Sequence, residues 1–196
     1  MQWLFEQNAI DWSALSRLYR IAPLGDKKAD DLKRAFSNSM FKCFVLDDGA
    51  LVGAGRAVAV LFAREGADVA FTHLPAEKKD ARETADAVKA EGRKAFIIAG
   101  DLRKPEFARR AVNQTISKLG RLDILVNNAG GSARERMSLF CDSEEDTWDY
   151  VLGTNLKGVF YTCRAVINHM LDKGHGNIVN IASVAGMIGL ASQVDY

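Results

Sequence analysis

The chain has 196 residues, enough for one full domain or parts of two, with 48% apolar and 26% charged residues and a net charge of +1. This balance gives no reason to expect nucleic acid or a membrane as a partner, and no apolar run approaches the length of a membrane span. The three cysteines are widely spaced, which favours a reducing compartment over disulfides or a zinc site. Glu6 follows the apolar start directly, so we predict no signal peptide and a cytoplasmic location.

The first forty residues are predicted to form a helical segment. Leu15, Leu18 and Tyr19 have helical spacing, and the helix should end before Pro23, since the residue preceding a proline is pushed out of the helical region. A second short helix is expected around Phe36. We therefore place a first segment at residues 1–40.

Several motifs in the first quarter of the chain resemble one enzyme family. The stretches at residues 23–27, 35–39, 41–45 and 47–57 are similar to the opening of a GNAT-family N-acetyltransferase. The glycine turn with which that family binds the acyl-CoA pyrophosphate has no counterpart here. The resemblance therefore implies the scaffold of an acetyltransferase without its cofactor site.

The glycine-containing stretch after residue 41 permits two interpretations. Residues 41–46 and 50–52 could be strands of a hairpin that turns at Asp-Gly, a strong hairpin signal between apolar runs. Alternatively, residues 41–46 could be the first strand of a dinucleotide-binding unit. Gly49, Gly53 and Gly55 would then form its phosphate loop before a helix whose amino terminus supplies free N–H groups.

Strands and helices alternate from residue 67 onward, which predicts a parallel sheet with helices on both faces. Glycines punctuate the pattern after each helix. The predicted strands cover residues 68–72, 94–99, 122–126 and 177–182, and the predicted helices cover residues 77–91, 105–119 and 143–173.

The strand at residues 122–126 organises this region. Ile124, Leu125 and Val126 form an unbroken apolar run, which predicts a central parallel strand buried on both faces. Two amides and a small-residue turn follow. In an open α/β sheet the carboxyl end of a strand faces the ligand crevice, so we expect a site there.

Four motifs in this order resemble the short-chain dehydrogenase/reductase family. They are Leu-Asp-Ile-Leu-Val-Asn-Asn-Ala-Gly at 122–130, Thr-Asn-Leu-Lys-Gly at 154–158, Ile-Val-Asn-Ile-Ala-Ser at 178–183, and Tyr196 thirteen residues after Ser183. The resemblance runs from about residue 55 to the last residue. It implies a Rossmann-like parallel sheet with helices on both faces, incomplete at its carboxyl-terminal side, which we place at residues 41–196.

The resemblance also implies a nicotinamide cofactor site and a catalytic set. The cofactor-binding positions would be Gly49, Gly53 and Gly55 at the pyrophosphate, Asp101 and Leu102 at the adenine, and Asn127, Ala129 and Gly130 at the ribose and crevice. In the catalytic set, Ser183 would hydrogen-bond the substrate carbonyl, Tyr196 would exchange its proton, and Asn155 would hold a water in the proton path. The substrate would be a small carbonyl or alcohol.

Ordinary structural roles are the alternatives for these residues. Asn127 could be a turn-former, Asn155 a helix kink between Gly153 and Gly158, and Ser183 a strand cap. Their joint order and spacing favour the functional interpretation.

The choice between NAD and NADP depends on the end of the second strand. An acidic side chain there would bind the ribose hydroxyl, but Thr72, His73 and Leu74 include no acid. Basic residues near this point could meet a 2′-phosphate, so we lean to NADP; they are Arg56, His73, Lys78 and Lys79. The three histidines have no metal-ligand spacing, and we predict no metal.

The family's catalytic Lys would fall four residues after Tyr196, the last residue given. The neighbouring Asp195 carboxylate should raise the pKa of the Tyr196 phenol, which opposes proton transfer at neutral pH. We therefore expect an impaired oxidoreductase. The alternatives are an acetyltransferase-derived fragment and a non-catalytic chimeric or truncated nucleotide-binding domain with a seam near Gly55. Exposed helix faces or a free sheet edge would allow a homo-oligomer.

Overall fold

The computed structural model describes residues 2–4, 11–21, 28–30, 44–47, 50–51, 54–131, 140–183 and 186. The chain forms two compact units, residues 1–61 and 62–196, and each is described by itself. Gly49, Gly53 and Tyr196, three of the predicted site residues, lie outside the described residues.

The first unit contains the predicted amino-terminal helix. Helix α1 spans Trp12–Ile21, and the Asp11 carboxylate accepts hydrogen bonds from the backbone N–H groups of Ser13 (2.9 Å) and Ala14 (3.0 Å). These bonds satisfy donors that have no partner within the helix, which is why the helix begins there. Strand β1, Gln2–Leu4, precedes it and was not anticipated within the helical segment.

The pairing of the next two strands decides between the two interpretations of the glycine-containing stretch. Strand β2, Phe44–Asp47, pairs antiparallel with β1 on one edge and with β3, Ala50–Leu51, on the other. Because both edges of β2 are used, it has none left for a parallel neighbour. The described residues therefore follow the hairpin interpretation, while Gly49 and Gly53 lie outside them and their role at a pyrophosphate stays a prediction.

Helix α2, Ala54–Arg64, follows the hairpin, and Gly66 lies two residues after its last residue. Its small apolar residues Ala57, Val60 and Ala63 are buried. Gly66 has φ of 93°, and the Ala67 N–H donates to the Phe62 carbonyl at 2.9 Å, so the predicted glycine stop is confirmed.

In the second unit, two parallel strands are joined by a helix. Strand β4, Val69–His73, leads to helix α3, Lys78–Ala90, and then to strand β5, Ala95–Ala99. The register runs from Val69 opposite Ala95 to His73 opposite Ala99. We call this pair the first ribbon.

A second parallel pair follows. Helix α4, Pro105–Leu119, leads to strand β6, Ile124–Asn127, which pairs in parallel with β7, Asn177–Asn180. We call this pair the second ribbon. The helix predicted at 143–173 is instead α5, Glu145–Leu152, a π-helical turn at Gly153–Lys157, and α6, Gly158–Lys173.

Helix α4 contributes to the core beside each ribbon. Phe107 and Ala111 pack with Ile98 of β5, while Val112 packs with Val166 and Met170 of α6. The described residues show alternating parallel strands and helices, as predicted. However, the two ribbons are separate sheets among these residues, and β6 is not buried on both faces as predicted, because Ile124 is 44% exposed.

Candidate cofactor and active site

The loop after β5 places a carboxylate at the end of the first ribbon. The Gly100 N–H donates to the His73 carbonyl at 2.9 Å, which extends the strand pairing by one step. Asp101 follows and accepts from the backbone N–H of Arg103 at 2.9 Å. The side chain of Arg103 binds the same carboxylate, with Nη2 2.6 Å from Oδ2 and Nε 3.0–3.1 Å from both oxygens. These hydrogen bonds hold the pKa of Asp101 below its ordinary value, so the carboxylate is ionised at neutral pH.

Arg103 is in turn placed by residues of the α5 region. Its guanidinium carbon lies 5.0 Å from the centroid of the Tyr150 ring, a cation–π arrangement. Its aliphatic stem passes Gly153, where a Cβ would lie 3.3 Å from Arg103 Cδ. The loop after β5 is therefore fastened to the start of the π-helical turn.

The end of the second ribbon holds a network of neutral polar groups, in which Asn127 and Thr162 are buried and Asn180 is exposed. The Asn127 side chain accepts from Thr162 Oγ1 at 2.7 Å and donates from Nδ2 to Asn180 Oδ1 at 2.8 Å. The Cys163 sulfur lies 3.4 Å from the same Nδ2. The network joins the carboxyl ends of β6 and β7 to helix α6. The side chain of Asn127 thus has a structural task, and its predicted role toward the ribose stays a prediction.

The turn after β6 is held from the π-helical turn. Ala129 and Gly130 are exposed, and Gly131 is fixed by Asn155. The Gly131 N–H donates to Asn155 Oδ1 at 2.8 Å, and Asn155 Nδ2 donates to the Gly131 carbonyl at 2.9 Å. Asn155 therefore sits in a helix irregularity, as its structural alternative anticipated, while its role in holding a water stays untested.

The remaining predicted residues lie in three places. Gly55 and Arg56 are in the first turn of α2, and Gly55 is exposed. Leu102 lies in the loop after β5, where its Cβ is 3.6 Å from the position of a Cβ on Gly158. Ser183 follows β7 and is exposed, and its carbonyl accepts from the Gly186 N–H at 3.1 Å.

The residues proposed for a 2′-phosphate are placed at the other strand of the first ribbon. His73 ends β4, and its Nδ1 donates to the Leu74 carbonyl at 2.8 Å, since that oxygen can only accept. In the neutral imidazole, Nε2 is then an acceptor. Lys78 and Lys79 are exposed in the first turn of α3.

In the part of the chain that the structure describes, no group of three or more His, Cys, Asp or Glu side chains could hold a metal ion. None of the described helices is long and apolar enough to cross a bilayer.

The sequence motifs assigned no role to four residues of this region: Arg103, Tyr150, Thr162 and Asn180. The Asp-x-Arg spacing at 101–103 is a local signal that could have been used, because the two side chains meet within one turn. Tyr150 and Thr162 meet their partners only across the fold, at sequence separations that no local pattern reveals.

Comparisons with known proteins agree on the family. The family model described as short chain dehydrogenase matches residues 44–196. The chain is 40% identical over 148 residues to a hydroxy(phenyl)methylsuccinyl-CoA dehydrogenase subunit of Thauera aromatica, covering 76% of this chain and 57% of that protein. It is 35% identical over 148 residues to a 3-oxoacyl-acyl-carrier-protein reductase of Staphylococcus aureus, covering 76% and 58%. The chain thus spans little more than half the length of these relatives.

A solved structure shows the same fold. The crystal structure of acetoin dehydrogenase from Salmonella typhimurium aligns with a TM-score of 0.67 and 34% identity, over 74% of this chain and 59% of that one. The predicted Rossmann-like α/β class is confirmed by this likeness. The acetyltransferase resemblance of residues 1–57 gains no support, and residues 44–57 fall inside the dehydrogenase match. The chain belongs to the short-chain dehydrogenase family.

Proposed function

We propose that this chain binds a pyridine dinucleotide, with a lean to NADP, and belongs to an oxidoreductase that transfers hydride between the nicotinamide and a small carbonyl or alcohol. One observation carries the proposal. The loops after β5 and β6 are linked at the same end of their parallel strands by the contacts of Arg103, Tyr150 and Asn155. In an open α/β fold, this end of the strands is where nucleotides bind.

The groups present at these loops fit a dinucleotide. Asp101 is ionised and can accept from an adenine amino group, while Leu102 supplies an apolar neighbour. Ala129 and Gly130 are small and exposed, so a ligand can approach the backbone closely. A bound nicotinamide would supply or accept the hydride.

The proposed catalytic roles follow the family resemblance. Ser183 would donate its hydroxyl hydrogen bond to the substrate carbonyl oxygen, and Tyr196 would pass its proton to that oxygen as hydride arrives. Asn155 would position a water in the proton path. Ser183 is exposed just beyond β7, where a substrate could reach it.

The lean to NADP rests on charge near the end of β4. The exposed Lys78 and Lys79 side chains offer donors for a phosphate, and the described end of that strand carries no acid. A phosphate of charge near −2 should be favoured there over a ribose hydroxyl.

We also propose that the partner is a second copy of this chain. Large apolar side chains are exposed along α5, the π-helical turn and α6, and they are Leu152, Leu156, Phe160, Ile167 and Leu171. Acidic residues Glu144 and Glu145 precede the stripe and Lys173 ends it, so an antiparallel pair would bring opposite charges together. Sedimentation should show a dimer that Leu171→Glu weakens; an unchanged monomer would contradict this.

The binding proposal is tested by titrating the protein with NADPH, NADH and acetyl-CoA while tryptophan fluorescence is followed. We expect quenching by NADPH, weaker quenching by NADH, and none by acetyl-CoA. Asp101→Ala should weaken NADPH binding about 10- to 150-fold, because a charge-assisted hydrogen bond contributes about 1.5–3 kcal/mol. The control Asp86→Ala removes an exposed carboxylate of α3 and should leave binding unchanged. Saturable quenching by acetyl-CoA alone would favour the acetyltransferase alternative instead.

A further inference from the structure

We propose that Arg103 and Tyr150 are positioning residues, which together fix Asp101 at one side of the nucleotide site and the turn at Gly130–Gly131 at the other. The inference rests on the proposed function and deepens it. Neither residue was assigned a role by its sequence pattern, and both act through neighbours instead of touching the reacting atoms.

The first step is the dependence of Asp101 on Arg103. The backbone N–H of Arg103 and its side-chain Nε and Nη2 all donate to the Asp101 carboxylate, at 2.6–3.1 Å. The hydrogen bonds described for this carboxylate thus come from one residue. The direction in which Asp101 presents its remaining lone pairs is therefore set by where Arg103 lies.

The Arg103 side chain is held in place by contacts with Tyr150 and Gly153. This side chain is 42% exposed, so a long flexible stem would gain entropy by leaving this position. Two contacts oppose that loss of order. The guanidinium lies over the Tyr150 ring at 5.0 Å, and the stem runs beside Gly153, where a side chain would crowd it.

The Tyr150 ring also lies against Gly131 in the turn after β6. A Cβ on Gly131 would lie 2.8 Å from both Cε1 and Oη of Tyr150, closer than real side chains approach. Gly131 is not among the described glycines with positive φ, so its backbone would accept alanine, and the ring is what requires glycine. Asn155 holds the same residue from its other side through two hydrogen bonds.

The contacts therefore form one chain from Asp101 through Arg103 and Tyr150 to Gly131. Displacing either middle member should misplace Asp101, which faces the adenine half of the ligand. The nicotinamide half should be affected less. This difference separates positioning from a general loss of stability, which would weaken both halves alike.

The test measures binding of AMP and of nicotinamide mononucleotide by calorimetry, together with NADPH, to the whole chain. Arg103→Met keeps the stem and removes the charge, and Tyr150→Leu removes the ring. Each should weaken AMP and NADPH about tenfold and leave nicotinamide mononucleotide within about twofold. Tyr150→Phe keeps the ring face and is the matched control, with binding unchanged.

A double variant tests the contact between Tyr150 and Gly131, and its result does not depend on the folding of a single variant. Gly131→Ala should weaken NADPH binding in the wild-type background, because the new Cβ meets the ring. In the Tyr150→Leu background the same change should add little, since the opposing atoms are gone.

The outcomes separate the two proposals. Failure of the unaltered protein to bind NADPH and NADH overturns the proposed function and this inference with it. Binding by the unaltered protein with unchanged AMP affinity in Arg103→Met and Tyr150→Leu overturns only the link. Equal weakening of AMP and nicotinamide mononucleotide, or additive effects in the double variant, also overturns it.

Discussion

The two parallel ribbons of the second unit are alike where their strands begin and different where they end. An aspartate precedes the first strand of each ribbon. Asp68 accepts from the Lys94 N–H at 3.0 Å and pairs with Arg93 at 2.8 Å, and Asp123 pairs with Arg121 at 2.7 Å. At the carboxyl ends, the first ribbon carries a half-exposed ion pair, whereas the second carries a network of neutral polar groups around the buried Asn127. The similar ion pairs at the amino-terminal ends of the ribbons are structural. The different polar groups at the carboxyl-terminal ends indicate that the two loops there have different roles.

The physical consequence is that the two ends respond to different changes. An ion pair with one partner 42% exposed is screened by salt and titrated by acid. A network of neutral polar groups responds to neither, and breaking it is costly where a group buried away from water loses its hydrogen-bond partner.

The largest effect is expected in the core that α4 shares between the ribbons. Phe107 is 2% exposed and packs on Ile98 and Ala111. Phe107→Ala should lower the free energy of unfolding by about 3–5 kcal/mol, measured by urea denaturation, because it leaves a cavity. The control Phe160→Ala removes a ring that is 55% exposed and should cost far less. Equal losses for the two would mean that α4 does not carry a shared core.

Next is the amide network that closes the second ribbon. Asn127→Ala removes the acceptor of Thr162 Oγ1 and the donor to Asn180 Oδ1, while Thr162 Oγ1 keeps the Gly158 and Val159 carbonyls as acceptors. We expect a loss of about 1–2 kcal/mol in the free energy of unfolding, with the same value at low and high salt. The exposed Asn113→Ala on α4 provides the control. A strong salt dependence of the loss would contradict a neutral network.

The ion pair at the end of the first ribbon should behave in the opposite way. In the wild type, Arg103 lowers the pKa of Asp101. In Arg103→Met this pKa should rise toward the ordinary value of about 3.9, which carboxyl NMR can follow. A depressed folded pKa stabilises the protein above the unfolded value, and this contribution is lost as the pH falls through the folded pKa. The variant should therefore lose less stability than the wild type between neutral pH and about pH 2. Parallel acid profiles of the two proteins would show that the pair is not formed.

The smallest effect is expected at Asp68, where the ribbons begin. The Lys94 N–H, with Arg93 and Lys94 nearby, lowers the pKa of Asp68. Asp68→Asn keeps an acceptor but loses the charge, so we expect a loss of about 0.2–1 kcal/mol at neutral pH that vanishes below the folded pKa of Asp68. Comparison of thermal unfolding midpoints across pH checks this. A loss that persists in acid would assign the role of Asp68 to its hydrogen bond alone.

Much of the second unit follows from local patterns in the sequence. Gly92, Gly120 and Gly174 were predicted to end helices, and each has a positive φ of 72–85°, which a residue with a Cβ adopts only with strain. The strand predicted at 94–99 is observed at Ala95–Ala99. Alternation of strand and helix also predicted the parallel pairing, because parallel neighbours need a crossover between them.

The site was predicted less completely than the fold. Sequence motifs marked Asp101, Asn127 and Asn155, but the partners that orient them were missed. Arg103 reaches its neighbour Tyr150 across 47 positions of the chain, and Asn127 bonds Asn180 across 53. Side chains this far apart meet only after the strands and helices have packed.

The sequence by itself determined most of the strands and helices of the second unit, where glycine stops its helices, and to which enzyme family its motifs point. These properties depend on residues a few positions apart, where backbone preference and apolar spacing act. Only the tertiary structure decided that Phe44–Asp47 pairs as the centre of an antiparallel sheet, that Asn127 turns inward, and that Arg103 lies on Tyr150. Each of these contacts joins segments that are far apart in the sequence. Their free energies depend on the packing of those segments, which a local sequence pattern does not predict.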